Sequence, residues 1–199
     1  MVKLTEVRKT IANCFTQPIA QLLARTPITP NTITWLGLLL AVAAAILIVT
    51  GELFAAGVMV LVSGFFDMLD GALARLTSQS TRFGAVLDST LDRLAEALLL
   101  LGILVLYVRE LSVAGSLLTG IVLVGSLMVS YVRARVEALG LECKIGLFTR
   151  PERVIVLALG LVLSQIDYAL MIALAVIGLF SFFTVGQRLL DAWYGAKNS

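Results

Sequence analysis

Long blocks without a charged residue dominate this chain. Thr26–Gly51 runs for 26 residues, Leu111–Val132 for 22 and Tyr168–Gln187 for 20. Each matches the roughly 20 apolar residues needed to cross a bilayer as a helix. Three shorter blocks lie between them: Leu53–Phe66, Ala97–Val108 and Val154–Ile166, of 14, 12 and 13 residues. These reach spanning length only with their charged ends, Asp67–Arg75, Asp88–Glu96, and Glu152 with Arg153. The pattern predicts six membrane-spanning helices at about 31–50, 53–76, 84–108, 111–139, 151–166 and 168–194. Ahead of them, Val7, Ile11, Phe15, Ile19, Leu22 and Leu23 recur at helical spacing among polar residues, which predicts an amphipathic surface helix within residues 1–25. Pro27 and Pro30 end it, and Asn31 or Thr32 is the expected cap of the first span. The expectation is therefore an all-α, polytopic membrane protein, with residues 1–199 as one domain and a six-helix core over 31–194.

Composition narrows the chemistry. Hydrophobic residues make up 59% and charged residues 14%, and mean hydropathy is +1.00. This excludes a disordered chain and a nucleic-acid binder with a broad basic face. Histidine is absent, which removes imidazole as catalyst and as metal ligand. With six spans, all of the 15 Lys and Arg except Arg109 fall on the side of the termini. By the positive-inside rule that side is cytoplasmic. The charged ends of the three short spans then share that side, which suggests one polar cavity opening to the cytoplasm. Cys14 and Cys143 lie in polar segments and read as reduced thiols.

The chemistry concentrates in four aspartates. Asp67 and Asp70 are three apart on one predicted helix, and Asp88 and Asp92 are four apart on the next. Both spacings put the pair on one helical face. The short link between the helices predicts antiparallel neighbours whose carboxylates face one another. A carboxylate at bilayer depth costs roughly 2.5–3.5 kcal/mol, and four together repel. Arg75 and Arg93 are too few to neutralise them. A divalent metal supplies the missing charge, and oxygen ligands favour Mg²⁺ or Mn²⁺ over Zn²⁺. Two ions could clamp a phosphoryl displacement. Gly71, Ala74 and Gly84 would let a ligand approach the backbone, although small residues also serve helix packing.

The run Asp67, Asp70, Gly71, Ala74, Arg75, Gly84, Asp88, Asp92 resembles the CDP-alcohol phosphotransferase signature, D-x2-D-G-x2-A-R-x8-G-x3-D-x3-D, at all eight fixed positions. The similarity extends from the surface helix through the six spans. It implies a homodimeric membrane enzyme that displaces CMP from a CDP-diacylglycerol-type lipid through a two-metal site. By that resemblance Asp67, Asp70 and Asp88 are metal ligands. Asp92 is the general base, also near a metal. Gly71, Ala74, Arg75 and Gly84 contact the CDP-lipid, with Asn31 as a further contact.

A second polar group comprises Ser130, Arg133, Arg135, Lys144, Arg150, Arg153 and Arg188, all expected at the cytoplasmic rim. Guanidinium groups suit a phosphate, so the acceptor alcohol is expected to carry one. Singly, each basic residue could instead be a headgroup anchor. Pro151 places Arg153 in the first turn of a helix, where the dipole disfavours a cation and a bound anion would justify it. The run Ser130–Arg135 with Lys144 and Arg150–Arg153 resembles the branch that makes phosphatidylinositol phosphate or archaetidylinositol phosphate. That likeness implies inositol 1-phosphate as acceptor, held by Ser130, Arg133, Arg153 and Arg188. Glycerol 3-phosphate, as in phosphatidylglycerol-phosphate synthases, is the alternative within the family. A cation transporter or channel is the alternative outside it, since intramembrane acids also line ion paths. The expected location is a prokaryotic cell membrane, with both termini and the site cytoplasmic.

Overall fold

The computed structural model describes residues 16–79, 81–141, 143 and 145–197. Among them helices are the regular structure, joined by turns and irregular links, without strands. Residues 16–23 are helical, while the rest of the predicted surface helix and Cys14 lie outside the described residues. Six helices follow: α1 (Pro30–Thr50), α2 (Leu53–Leu76), α3 (Arg82–Arg109), α4 (Val113–Ala138), α5 (Arg150–Val162) and α6 (Ala169–Lys197). Four of them, α1, α2, α4 and α6, are long and apolar enough to cross a membrane. The chain is an integral membrane protein. Its outward faces are correspondingly apolar: Leu39 and Ile46 of α1, Leu117 and Val124 of α4, and Leu179 and Phe183 of α6 are all exposed.

α3 is longer than any of these except α6, but carries charges along its first half. α5 has 13 residues, which at 1.5 Å per residue is about 20 Å, short of the ~30 Å hydrocarbon layer. It ends at Val162, not at 166 as the apolar run suggested, and turns occupy residues 163–168. Its start is well specified. Glu152 accepts from the Thr149 backbone N–H at 2.8 Å and completes a capping box.

The start of α1 differs from expectation. Its cap is Thr29, whose hydroxyl accepts from the Thr32 N–H at 3.3 Å. Pro30 then takes the first helical position, where its missing N–H costs nothing. Asn31 is thereby released from capping.

The packing order also corrects the sequence reading. α1 packs on both α2 and α3; α2 on α5; α5 on α6; α6 on α4; and α4 on α3. These contacts close a ring, α1–α2–α5–α6–α4–α3. The two aspartate helices α2 and α3 each pack chiefly on α1 rather than on one another. Their link, Thr77–Thr81, is short in residues but does not force the helices together. Ser63 of α2 donates to the Gly37 carbonyl of α1 at 2.9 Å and fixes one of these contacts. Gly57 fixes another joint: a Cβ there would lie 2.7 Å from Val162 Cγ2 and 2.9 Å from the Ala158 carbonyl oxygen, so only glycine lets α2 lie this close to α5.

The ring interior is divided. Toward the α1–α2 turn it is filled by Ile48, Val60, Leu100, Ile103, Leu161, Leu174 and Ile177. Toward the opposite end, where α2 finishes and α3 and α5 begin, it is polar. That division sets the depth of the site.

Candidate active site

Oxygens of Asp67, Asp70 and Asp88 lie within 4.8 Å of one another. α2 supplies the first two and α3 the third. Asp70 is 4% exposed, and its Oδ2 is buried without a hydrogen-bond partner. A buried carboxylate oxygen with no donor is a costly arrangement unless a cation completes it. An all-carboxylate donor set of this size fits a hard divalent ion. Asp92, one turn along α3 from Asp88, stands outside this trio and is engaged by Arg150.

Arg150 is the residue that sequence reasoning under-weighted. Its Nη1 lies 2.7 Å from Asp92 Oδ2 and also contacts Asp67 Oδ2. The direct ion pairs to Asp67 and Asp92 thus come from the start of α5. Arg93 instead donates to the Ser89 carbonyl of its own helix. Arg75 is exposed at the end of α2.

Two cavities flank the aspartates. The first, of about 180 Å³, is lined by Asn31, Asp70, Gly71, Ala74, Arg75, Gly84 and Asp88, with Thr34, Gln79 and Thr81 among the other residues. All five residues expected to contact the CDP-lipid therefore share one wall system. The N-termini of α1 and α3 both open onto it, and unpaired helix-start N–H groups favour an anion. At Gly71 an added Cβ would meet only the tip of Arg75, at 3.4 Å, so the backbone is open to a ligand. Gly84 has a second reason to be glycine. Its N–H donates to the Thr81 hydroxyl at 2.9 Å, and a Cβ would press on that same oxygen at 2.9 Å.

The second cavity, of about 520 Å³, is lined by Asp88, Asp92, Arg93, Ser130, Arg133, Arg150, Arg153 and Arg188, among others. Every residue expected at the acceptor phosphate borders it. Lys144 lies outside the described residues. The arginines are held differently. Arg188 is buried and donates to the carbonyls of Ile145 at 3.0 Å and Val129 at 2.5 Å. Arg133 is exposed and paired with Glu137 one turn on, at 2.8 Å. Arg153 is 2% exposed and forms a two-point ion pair with Glu96 of α3. A bound anion is thus not needed to account for a cation in the first turn of α5, because Glu96 already supplies the negative partner. The sequence did carry a signal for Glu96: an acid inside an apolar run, on the face of Asp88 and Asp92, requires a buried partner.

Asp88 borders both cavities, with Asp70 on the first and Asp92 on the second, so these aspartates lie between the two compartments. The family model for CDP-alcohol phosphatidyltransferase matches residues 27–185. This chain belongs to that family. It is 39% identical, over 92% of its length and 91% of the relative's, to an archaetidylinositol phosphate synthase of Methanothermobacter thermautotrophicus. A phosphatidylinositol phosphate synthase of Mycobacteroides abscessus is 42% identical over 92% of this chain and 84% of its own. Among solved structures, the Mycobacterium tuberculosis phosphatidylinositol phosphate synthase with CDP-DAG bound superposes with a TM-score of 0.78 at 39% identity, covering 90% of this chain and 94% of the other. The same enzyme in complex with manganese and citrate gives 0.79, covering 90% and 89%. The protein is a CDP-alcohol phosphatidyltransferase, a membrane enzyme of phospholipid synthesis, and its aspartate cluster fits the use of a divalent metal. The family match and the named relatives favour the transferase reading over the transport one.

Proposed function

We propose that this enzyme transfers the phosphatidyl group of CDP-diacylglycerol, or of an archaeal CDP-ether lipid, to inositol 1-phosphate and releases CMP. The observation that carries this reading is the pair of cavities meeting at Asp88, one walled by the signature residues and the other by buried arginines. Asn31, Gly71, Ala74, Arg75 and Gly84 hold the CDP-lipid, with its acyl chains left in the bilayer. Ser130, Arg133, Arg153 and Arg188 hold the acceptor's phosphate. Its free hydroxyl then faces Asp92, which takes the proton as the new oxygen–phosphorus bond forms and the diphosphate bridge breaks toward CMP. Asp67, Asp70 and Asp88, with Asp92 nearby, would hold the divalent ions, two Mg²⁺ or Mn²⁺, which when bound neutralise the diphosphate and the leaving charge. Positioning of the two substrates on either side of the aspartates supplies much of the remaining acceleration.

The same reading covers the whole chain as one domain with six membrane crossings, α3 and α5 included. Residues 1–25 form its surface helix, both termini and the site are cytoplasmic, and the working form is a homodimer in a prokaryotic cell membrane. The deciding experiment is a CMP-release assay on purified protein, offering inositol 1-phosphate, glycerol 3-phosphate, inositol and serine, with and without Mg²⁺. Metal-dependent release with inositol 1-phosphate supports the proposal. Release with glycerol 3-phosphate alone overturns the acceptor and leaves the reaction class standing.

A further inference from the structure

Glu96 lies one helical turn beyond Asp92 on α3 and is 7% exposed; its partner Arg153, not Glu96 itself, lines the second cavity. It accepts from Arg153 Nε at 2.6 Å and from Arg153 Nη2 at 2.7 Å. This fork-on-fork pair crosses the ring between α3 and α5, two helices that are not adjacent in its packing order. The remaining nitrogen, Arg153 Nη1, is buried and has no partner. A buried ion pair is rarely kept for stability alone, since apolar residues of the same volume often serve as well. Here the pair leaves one buried donor unsatisfied on an arginine that lines the second cavity together with Ser130, Arg133 and Arg188. The geometry points to a task for it: we infer that Glu96 is a positioning residue for the acceptor. It fixes two of the three guanidinium nitrogens so that only Nη1 is left for the acceptor's phosphate. A phosphate oxygen in the cavity completes Nη1, and the fork cannot rotate away between turnovers. Glu96 also cancels the charge of Arg153, so the acceptor is held by a directed donor more than by net charge, and the product's phosphate leaves more readily. The inference rests on the second cavity being the acceptor site.

The test is steady-state kinetics on Glu96→Gln, Glu96→Asp, Arg153→Gln and the double variant Glu96→Gln/Arg153→Gln, with melting of each in detergent. Loss of the carboxylate frees the guanidinium and should raise the acceptor KM about tenfold or more, with the CDP-lipid KM within about twofold. The double variant should be no worse for the acceptor than Arg153→Gln alone, because Glu96 acts through Arg153. Glu96→Asp keeps the charge, so it should fold where Glu96→Gln does not, and should sit between wild type and Arg153→Gln in acceptor KM. An unchanged acceptor KM in Glu96→Asp and Glu96→Gln, or multiplying losses in the double variant, would overturn the inference. The wild-type acceptor panel is scored separately. If wild type uses glycerol 3-phosphate, the choice of inositol 1-phosphate fails, and the Glu96 series is read with glycerol 3-phosphate instead.

Discussion

Arg150 reaches from the first turn of α5 to α3 and places its Nη1 2.7 Å from Oδ2 of Asp92. The same nitrogen contacts Asp67, so one cation ties two carboxylates that would otherwise repel. Asp67 and Asp92 side chains are 26% and 21% exposed, which screens the pair only in part. Arg150→Gln should therefore destabilise the metal-free protein by about 1–3 kcal/mol. A divalent ion at the aspartates replaces the lost counter-charge. The rise in melting temperature on moving from EDTA to Mn²⁺ should thus be larger in Arg150→Gln than in wild type. Differential scanning fluorimetry in detergent reads both quantities. An equal rise in the two proteins would mean that Arg150 and the metal do not share the carboxylates.

Asp70 offers a cleaner probe of the metal, because its Oδ2 has no hydrogen-bond partner and, among the described residues, the ion pairs of the arginines go to other acids. Asp70→Asn keeps the volume and removes the charge. It should fold, bind Mn²⁺ more weakly by titration calorimetry, and lose about 10²–10³-fold in CMP release. Retained Mn²⁺ affinity with full activity would remove Asp70 from the metal site.

Much of this site was legible along the chain because its parts are local. Asp67 and Asp70, and Asp88 and Asp92, are one turn apart on their own helices, so helical periodicity alone pairs them. The six helices were likewise visible as apolar runs with charged ends. What the sequence could not carry is which helices touch. Arg150 and Asp67 are 83 positions apart and Arg153 and Glu96 are 57 apart, and no periodicity relates them. The short Thr77–Thr81 link suggested that α2 packs on α3, yet both pack chiefly on α1, where Ser63 of α2 bonds to the Gly37 carbonyl. The cap of α1 was misplaced by two or three residues because Pro30 was read as a breaker ahead of the helix. It is the first helical residue.

The ring closure can be tested away from the chemistry. Gly57 presses its backbone on α5, where the Ala158 carbonyl would meet a new Cβ at 2.9 Å and cannot swing aside. Gly57→Ala should cost about 1–3 kcal/mol of stability by overpacking. The acceptor KM should stay at the wild-type value in the fraction that remains folded. A melting curve unchanged from wild type would show that α2 and α5 are looser than this contact implies.

The arginines of the second cavity should not contribute equally. Arg188 is buried with its Nε and Nη1 committed to two backbone carbonyls, so its guanidinium is held in place before any acceptor arrives. Arg133 is exposed and already paired with Glu137, and an exposed pair of this kind is worth about 0.2–1 kcal/mol. A charge-assisted hydrogen bond from a fixed donor is worth about 1.5–3 kcal/mol, or roughly 10–100-fold in affinity. Arg188→Lys removes the fork while keeping the charge, and should raise the acceptor KM by about that 10–100-fold factor. Arg133→Ala should raise it by no more than about fivefold. Neither should alter the KM for the CDP-lipid, whose cavity lies on the other side of Asp88. Steady-state assays varying each substrate in turn separate these outcomes. A larger loss from Arg133→Ala than from Arg188→Lys would place the acceptor phosphate at the mouth of the cavity, away from its buried wall.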